Sequence, residues 1–254
     1  MVGKSTVIET KNLCKSYYAS QAGVHVLTNL NIEIYKGDFT MIMGASGSGK
    51  TTLLYGLSAL DKITSGEVFY SGTNVHKMTE KSLIDFRRKT IGYIFQGINL
   101  IPYLSLLENV SVIGKLVSKN GKDVISRSKE MLCKFGLENE MYRIPAEVSG
   151  GQQQRAAVAR ALINNCEVLF ADEPTGALNT SQGDNLLDTL TTINNNDKSI
   201  VMVTHDLRAA CRGNRIIYLK DGKVHGELSL PPFNNDNLEE REHTVYNFLR
   251  KRGW

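Results

Sequence analysis

The chain has 254 residues, of which 41% are hydrophobic, enough for one large domain, or a domain with a subdomain, around a full apolar core. Its formal net charge is only +4 and its basic residues are scattered, which argues against a nucleic-acid partner. The four cysteines lie far apart with no C-x-x-C spacing, so we expect reduced thiols and neither a zinc site nor a disulfide framework.

Membrane insertion is not expected from the sequence. No stretch approaches the roughly 20 apolar residues that span a bilayer, and residues 1–12 contain no apolar signal core. We therefore expect a soluble chain unless another molecule anchors it.

The first part of the chain predicts strands and one helix. Residues 6–18 and 26–44 alternate apolar and polar side chains, with turn residues at 36–38, which is typical of a partly antiparallel sheet. The last of these strands runs into glycines and then into a predicted helix over 50–60. A further short strand is expected over 66–72.

The middle of the chain changes to a helical period. From about residue 78 to 145, apolar residues recur at helical spacing, as in segments 80–89, 106–117 and 124–137. We interpret this region as a helical insertion into the fold.

The later part of the chain alternates strands with helices. Apolar runs at 167–172, 199–204 and 215–219 are separated by helical patterns at 181–193 and 207–211. This βαβ alternation predicts a parallel sheet.

The carboxyl-terminal segment predicts a hairpin, a linker and a tail. The Asp221-Gly222 pair is typical of a hairpin turn leading into a strand over 223–228, and residues 231–237 are typical of a linker. The tail after it has apolar residues at near-helical spacing, namely Leu238, Val245, Phe248 and Leu249. Two arrangements stay open, since this tail could pack on its own domain or contact a membrane partner or second copy.

A glycine-rich loop predicts phosphate binding. The segment GASGSGKT fits G-x-x-x-x-G-K-[ST] and lies between an apolar strand and a helix, as such loops require. Its backbone N–H groups would surround phosphates, Lys50 would reach the β and γ oxygens, and the Thr51 hydroxyl would ligate Mg²⁺. The alternative is a glycine–serine turn that binds nothing. The predicted nucleotide-binding residues here are Gly44, Ala45, Ser46, Gly47, Ser48, Gly49, Lys50, Thr51 and Thr52.

Two carboxylates end the apolar strand in VLFADEP. Asp172 would ligate Mg²⁺ and Glu173 would orient or deprotonate the attacking water, since ligands of open α/β sheets bind at the carboxyl ends of the strands. Taken alone, such a pair is equally an ordinary cap for the next helix. Because the phosphate loop lies at the same edge of the predicted sheet, we favour the catalytic interpretation over the cap.

Gln96 and His205 each follow a predicted strand. Taken alone, each is more often a structural side chain than a functional one. Because both close strands at the sheet edge that carries the phosphate loop, we predict that they contact water or the γ-phosphate. Gln96 is also a candidate metal ligand.

A second anion-binding element follows in VSGGQQQR. Ser149 is a natural N-cap, Gly150 and Gly151 allow close approach, and a helix N-terminus that includes Gln152 carries partial positive charge. A simple N-cap is the structural alternative. Since one chain has one lysine-bearing loop, we predict that this element binds the γ-phosphate of ATP on a second copy, in a head-to-tail dimer that encloses two ATP.

Together these motifs resemble the ATP-binding subunit of ABC transporters over roughly residues 5–228. The resemblance implies an α/β P-loop NTPase of the ABC ATPase type. Such a fold has a mixed or parallel core sheet, an antiparallel β subdomain and an inserted helical subdomain. It implies an ATPase domain over 1–230, a helical subdomain over about 97–148, and a linker and amphipathic tail over 231–254. The implied cofactors are ATP and Mg²⁺.

The motifs of this family carry over residue by residue. Residues 44–51 resemble the Walker A loop, Gln96 the Q-loop residue, VSGGQQQR the signature motif, VLFADE the Walker B strand and His205 the switch histidine. Tyr17 matches the A-loop aromatic that stacks on adenine, and such stacking contributes about 1–3 kcal/mol. Tyr18 is its competitor, and a plain strand tyrosine is the structural alternative.

Two segments narrow the resemblance. FQGINLIPYLSLLENV and ADEPTGALN resemble the lipoprotein-releasing, macrolide-exporting and bacitracin-resistance transporters, which implies an FtsX-like permease partner at the cytoplasmic face of the membrane. The end of the tail, RKRGW, suggests the antimicrobial-peptide resistance branch. An ATPase that regulates cell-wall hydrolases without transport remains an alternative. DNA-repair and ribosome-bound ABC proteins fit poorly, because the chain has no coiled-coil arm and one set of motifs.

Two positions depart from the family pattern. Val148 begins the signature where leucine is usual, which retains an apolar anchor. Asn179 ends the D-loop where aspartate is usual, so an acceptor is kept, a donor is added and a charge is lost. We expect this change to alter communication between the two nucleotide sites.

Overall fold

The computed structural model describes residues 4–19, 22–176, 178–234, 236 and 238–254. The strands are β1 Thr6–Ala19, β2 Ala22–Leu30, β3 Glu33–Tyr35, β4 Phe39–Met43, β5 Ser65–Tyr70, β6 Thr73–Asn74, β7 Ile91–Ile94, β8 Val168–Asp172, β9 Ser199–Val203, β10 Arg215–Lys220 and β11 Lys223–Ser229. The α-helices are α1 Lys50–Leu57, α2 Glu80–Thr90, α3 Leu106–Lys115, α4 Gly121–Lys134, α5 Gly150–Leu162, α6 Thr180–Asn195, α7 Leu207–Ala210 and α8 Leu238–Arg250, with 3₁₀ turns at Val75–Lys77 and Pro145–Glu147.

The chain forms two compact units. The first comprises Met1–Leu83 with Leu190–Trp254, and the second comprises Ile84–Thr189. The predicted helical subdomain over 97–148 lies inside the second unit, and its bounds and those of the tail stay predictions.

An antiparallel sheet forms one part of the first unit. Strand β1 pairs antiparallel with β2, β3 and β5, and β5 pairs with β6. The buried hydroxyl of Thr10 donates to Leu30 O at 2.9 Å and accepts from Ile32 N at 2.9 Å. It thereby holds the end of β2 and the start of the next strand against β1.

A mainly parallel sheet forms the other part of the first unit. Strand β4 pairs in parallel with β9 and β10, and every residue of β4 and β9 is buried, as continuous apolar runs predict. Strand β11 returns antiparallel to β10 through Asp221 and Gly222, whose φ angles of 48° and 69° suit a type I′ turn. The hairpin predicted from this pair is therefore present.

The second unit combines two strands with a helical core. Strands β7 and β8 are parallel, and α3 contacts both α4 and α5. The buried residues of this core are Leu100, Leu106, Leu107, Val110, Leu132, Leu137, Met141, Ala156, Ala157, Ala159 and Ile163. The helical period of segments 106–117 and 124–137 therefore reflects real helices, α3 and α4, each with a buried face.

The buried side chain of Asn109, in α3, shapes the preceding loop. Its Oδ1 accepts from Ile101 N at 2.7 Å, and its Nδ2 donates to the carbonyls of Ile101, Leu104 and Ser105 at 3.0–3.1 Å. These bonds hold the backbone of residues 101–105 against α3 and give Ile101 N and Leu104 O a partner. The loop they fix presents Tyr103 to solvent with 90% of its surface exposed.

The predicted fold class is confirmed, with an antiparallel β portion, a parallel sheet portion and a set of helices. The helix predicted over 50–60 ends earlier, at Leu57, because Ser58 forms the C-cap and Ala59 has a φ of 53°. In the part of the chain that the structure describes, no helix combines the length and apolarity needed to cross a membrane.

The tail helix α8 packs on its own unit. Val245, Phe248 and Leu249 are buried, and the buried Arg241 donates to the backbone carbonyls of Cys211, Gly213 and Pro231. The apolar spacing that the sequence shows in this tail is thus the buried face of a helix. Of the two arrangements left open, packing on its own domain is the one observed.

Candidate active site

The phosphate loop connects β4 to α1 in the first unit, and two of its glycines are sterically required. A Cβ at Gly44 would lie 2.1 Å from Leu219 O, so the backbone approaches β10 more closely than any side chain allows. Gly49, the N-cap of α1, has a φ of 97°, which favours glycine, and its Cβ would meet a Leu27 methyl at 2.8 Å. The loop is thereby fixed at both ends.

Two polar side chains of this loop are buried. The Lys50 ammonium donates to Gly44 O at 3.0 Å and Ala45 O at 2.9 Å, so it bridges the loop from within. The Ser48 hydroxyl is buried and has no hydrogen-bond partner within the described residues. A buried polar atom without a partner is costly, and an arriving phosphate oxygen would satisfy it. This loop therefore fits a phosphate.

Tyr17 and Tyr18 follow one another on β1 and differ in their surroundings. The Tyr17 side chain is 44% exposed, and its hydroxyl donates to Asp61 at 3.1 Å. Tyr18 is 73% exposed, and its ring lies against Gly23 on the paired strand β2. Consecutive strand residues face opposite sides of the sheet, so only one of the two rings can serve a given site.

His205 follows β9, as the sequence predicts, and its side chain is exposed. The next residues form a fixed turn, since the Thr204 hydroxyl accepts from Asp206 N at 3.0 Å and the Asp206 carboxylate accepts from Arg208 N at 2.8 Å. Asp206 thus caps α7 and holds the backbone on either side of the histidine.

Asp172 and Glu173 end β8 in the second unit. Asp172 is the last strand residue and only 4% exposed, while Glu173 has a φ of 41°, a left-handed conformation that is strained for a non-glycine residue. Gln96 lies just beyond β7, and its Nε2 is 3.3 Å from Glu173 Oε2. The structure therefore brings together two of the three predicted catalytic residues. His205 and the phosphate loop belong to the other unit.

The signature segment forms the N-terminus of α5 through a capping box. Ser149 Oγ accepts from Gln152 N at 3.3 Å, and Gln152 Oε1 accepts from Ser149 N at 2.8 Å. Gly150 and Gly151 form the first turn, and open space surrounds Gly150. The predicted N-cap is present, and the glycines leave the helix N-terminus open to an anion.

Two further residues of α5 bind the backbone next to Glu173 and Gln96, and the sequence analysis does not predict them as site residues. Buried Gln154 donates from Nε2 to Pro174 O at 3.2 Å, directly after Glu173. Arg160 donates to Ile98 O at 3.1 Å and Asn99 O at 2.5 Å, just after Gln96. Gln154 lies among the buried residues of α5, where a polar side chain signals a tertiary partner.

The predicted metal ligands are a small set of oxygen donors. The described residues contain no group of three or more His, Cys, Asp or Glu side chains arranged to hold a metal ion. The predicted Mg²⁺ ligands are of another kind, because Thr51, Gln96 and Asp172 supply one hydroxyl, one amide and one carboxylate. Such hard oxygen donors suit Mg²⁺, which keeps waters and phosphate oxygens as its other ligands.

Comparison with known proteins identifies the family. The ABC transporter family matches residues 27–176, more than half of the 254-residue chain, and this range includes the phosphate loop, the signature segment and Glu173. The chain belongs to the ABC transporter family. As a member, it is an ABC-type ATPase, which hydrolyses ATP to ADP and phosphate.

Relatives agree with this assignment. The chain is 41% identical over 229 residues to the macrolide export ATP-binding/permease protein MacB of Mannheimia succiniciproducens. That alignment covers 90% of this chain and 36% of the relative, so the chain spans about a third of that protein. It is also 42% identical to an uncharacterized ABC transporter ATP-binding protein of Methanocaldococcus jannaschii, MJ0796, with 90% of this chain and 100% of the relative covered.

Solved structures of MJ0796 are similar to this fold. A dimeric post-hydrolysis state of that ATP-binding cassette, bound to ADP and Pi, gives a TM-score of 0.81 at 40% identity, covering 89% of this chain and 100% of that one. A second dimeric structure of the same cassette gives a TM-score of 0.81 at 41% identity. The ABC fold predicted from the sequence is thus confirmed.

Proposed function

We propose that this ATPase forms a head-to-tail dimer around two ATP molecules and powers an FtsX-like membrane permease. One observation carries the proposal: helices α1 and α5 both begin at glycines, and only the start of α1 includes a lysine, Lys50. The structures of MJ0796 are dimeric, and one of them is bound to ADP and Pi, which supports a dimer of this chain.

Nucleotide binding would use the loop from Gly44 to Thr52. Its N–H groups and the positive end of α1 would bind the phosphates, and Lys50 would exchange the carbonyls of Gly44 and Ala45 for β and γ oxygens. The charge-assisted bonds so formed are stronger than those to neutral carbonyls. Tyr17 would stack on the adenine ring.

Three oxygen-bearing side chains would hold Mg²⁺: Thr51, Asp172 and Gln96. Asp172 ends β8 with only 4% of its surface exposed, and its carboxylate oxygens are hard donors of the kind that Mg²⁺ prefers. When bound, Mg²⁺ neutralises charge on the β- and γ-phosphates.

Glu173 is the proposed general base of hydrolysis. Its side chain would accept a proton from the attacking water, and the Gln96 amide, 3.3 Å away, would orient that water and the carboxylate. His205 would donate a hydrogen bond to the γ-phosphate. The strained φ of Glu173 supports this role, since such strain persists where the surrounding structure fixes a functional residue.

The second copy would complete each site. Ser149, Gly150, Gly151 and Gln152 of one chain would bind the γ-phosphate of ATP held by the Lys50 loop of the other. ATP would therefore favour the closed dimer, and loss of the γ-phosphate by hydrolysis would remove the bridge and reopen it.

A permease would dock on the helical region around 97–114. The loop fixed by Asn109 exposes two large apolar side chains, Tyr103 and Ile101, and exposed apolar surface of this kind is typical of interaction sites. A helix of a cytoplasmic permease loop would cover them. Because MacB relatives join an ATP-binding part to a permease, as their name states, the same partnership at the cytoplasmic face of the membrane is proposed here.

The cargo proposed is an antimicrobial peptide, exported or resisted by the complex. The support is the resemblance of the tail end RKRGW to that branch, within the wider subgroup that FQGINLIPYLSLLENV resembles. The MacB relatives are named for macrolide export. The co-purified permease complex should show ATPase stimulation by a peptide such as bacitracin but not by a macrolide. Stimulation by the macrolide alone would reassign the cargo, and a small permease with no stimulation would favour the regulatory alternative.

The hydrolytic role is tested by Glu173→Gln. This variant keeps side-chain size and removes the base, so we expect ATP binding to be retained and turnover to fall by at least about 100-fold. Fluorescent-nucleotide titration and phosphate release measure the two effects. Hydrolysis near the normal rate would remove Glu173 from the mechanism.

A further inference from the structure

The ring of Tyr17 is held by two neighbouring side chains in the first unit. Its hydroxyl donates to Asp61 Oδ2 at 3.1 Å, and the Lys15 ammonium lies 2.7 Å from the same carboxylate oxygen. The same ammonium stands 4.7 Å from the centroid of the Tyr17 ring. Tyr17, Asp61 and Lys15 therefore each contact the other two. The contacts fix the hydroxyl of Tyr17 and cover one face of its ring.

The ammonium that covers this face is itself well anchored. Only 12% of the Lys15 side chain is exposed, and Lys15 Nζ also donates to Lys62 O at 2.5 Å. Burial raises the pKa of the Asp61 carboxyl, but hydrogen bonds from Lys15 and Tyr17 outweigh it and leave the pKa below its usual value. Asp61 is therefore a charged acceptor, and the cluster pairs one anion with one cation.

The neighbouring tyrosine lacks such an arrangement. Among the described residues, no hydrogen bond of the Tyr18 hydroxyl is found, and its ring leans on Gly23. Across the strand pair, the residue opposite Tyr17 is Val24, an exposed apolar side chain beside the Tyr17 ring. The Tyr17 face of β1 therefore combines an oriented aromatic ring with an apolar neighbour.

We propose that Lys15 and Asp61 are positioning residues for nucleotide recognition. Asp61 accepts a hydrogen bond from the Tyr17 hydroxyl and so fixes the tilt of the Tyr17 ring. Lys15 covers one face of that ring, so the base stacks on the opposite face. Because Asp61 lies in the loop that follows α1, the cluster also ties the base platform to the helix that begins at the phosphate loop. This inference rests on the base-stacking role proposed above for Tyr17.

The test separates base recognition from phosphate binding. Titration calorimetry compares ATP with inorganic tripolyphosphate, which has no base, for wild type, Tyr17→Ala, Lys15→Met and Asp61→Asn. Tyr17→Ala should weaken ATP binding about 5- to 150-fold, the range for one lost stacking contact. Lys15→Met and Asp61→Asn should each weaken it about 2- to 5-fold. Tripolyphosphate affinity should stay the same throughout.

Two further variants act as controls. Tyr17→Phe keeps the ring and loses the bond to Asp61, so it should weaken ATP binding at least as much as Asp61→Asn, whose amide oxygen can still accept that bond. Lys62→Met removes an equal charge from the adjacent surface, where Lys62 pairs with Glu80 at 2.9 Å and is largely exposed, so it should leave ATP affinity unchanged. The double variant Tyr17→Ala/Asp61→Asn should bind ATP no more weakly than Tyr17→Ala, because both changes act through one ring.

Each other outcome has a definite meaning. Unchanged ATP affinity in Tyr17→Ala removes the stacking role and this inference with it. A loss in Tyr17→Ala without any loss in Lys15→Met and Asp61→Asn leaves stacking in place and overturns the positioning role. Additive losses in the double variant also overturn the positioning role, because Asp61 then acts independently of the Tyr17 ring. An equal loss of tripolyphosphate affinity overturns it too, because the variants then affect phosphate binding or folding rather than base recognition.

Discussion

Asn179 stands where aspartate is usual in the family, and its position explains why either residue fits. It precedes α6, and its Oδ1 accepts from Gln182 N at 2.9 Å, which is the bond of an N-cap. Asparagine and aspartate cap helices about equally well. Asparagine therefore keeps the helix cap, and it differs from aspartate in charge and in its added donor.

Asn179→Asp tests the effect of that charge. We expect the free energy of unfolding to change by less than about 1 kcal/mol, in the stabilising direction, because an anion at a helix N-terminus is favourable. ATP affinity should be retained, while steady-state turnover should differ from wild type. Thermal unfolding and phosphate-release kinetics measure both, and identical kinetics would discard a role for Asn179 in communication between sites.

Gln154 joins the signature helix to the turn that carries Glu173. Gln154→Leu removes the donor to the buried carbonyl of Pro174, so we expect a loss of about 1–3 kcal/mol in the free energy of unfolding. Turnover should fall more than ATP affinity, because the backbone next to Glu173 loses its support. Urea unfolding measures the change in stability, and nucleotide titration measures ATP affinity. An unchanged free energy of unfolding would show that the bond from Gln154 to Pro174 O does not stabilise the fold.

At the scale of elements, the sequence predicts most of the strands and helices that carry the candidate site residues. Motif residues such as Lys50, Ser149 and Glu173 are recognisable because glycine spacing, caps and strand ends are local signals. Residues such as Gln154, Arg160 and Asp61 are not, because their roles depend on partners distant in sequence, as when Arg160 reaches Asn99. The end of α1 was also missed, since the Ala59 conformation follows from tertiary context.

The turn Val75–Lys77 contacts α1 through a histidine that should confer pH dependence. His76 Nε2 lies 3.3 Å from Gly56 O, and burial lowers the pKa of His76 below its usual value of about 6.5. The unfolded chain then binds a proton that the folded protein does not, so stability is present above that usual value and is lost as pH falls below it.

The corresponding variant is His76→Gln, which retains a donor for Gly56 O without a titratable ring. Urea unfolding between about pH 7.5 and 5.5 should show wild-type stability decreasing as pH falls, with a shallower decrease in the variant. Parallel profiles for the two proteins would mean that His76 does not contribute.

Helix α8 is tied to its unit by a buried face. Leu249→Ala should lower the free energy of unfolding by about 2–5 kcal/mol, whereas Glu239→Ala on the exposed face should change it by less than about 0.5 kcal/mol. Chemical denaturation compares the two. Equal effects would contradict the packing described for this helix, and deletion of residues 234–254 then tests separately whether the tail contributes to permease binding.

At the scale of the whole molecule, the chain is an ABC-type ATPase, and the permease that it would power is a proposal. Similarity to MJ0796 extends along 89% of the chain, whereas the chain spans only about a third of the MacB relative. The fold and ATPase class follow from these comparisons. The permease partner and its cargo are proposals. The permease proposal rests on the docking surface around residues 97–114, and experiments on the co-purified complex test both.

Completion of each hydrolytic site by a second chain is the central claim, and it is tested most directly by the specific activity at increasing protein concentration. Light scattering in the same samples would report the oligomeric state. We predict that hydrolysis per chain rises with concentration and that ATP converts Glu173→Gln to a dimer, since the proposed site takes Lys50 and Ser149 from different copies. A monomer that hydrolyses ATP at the full rate, with specific activity independent of concentration, would contradict the account.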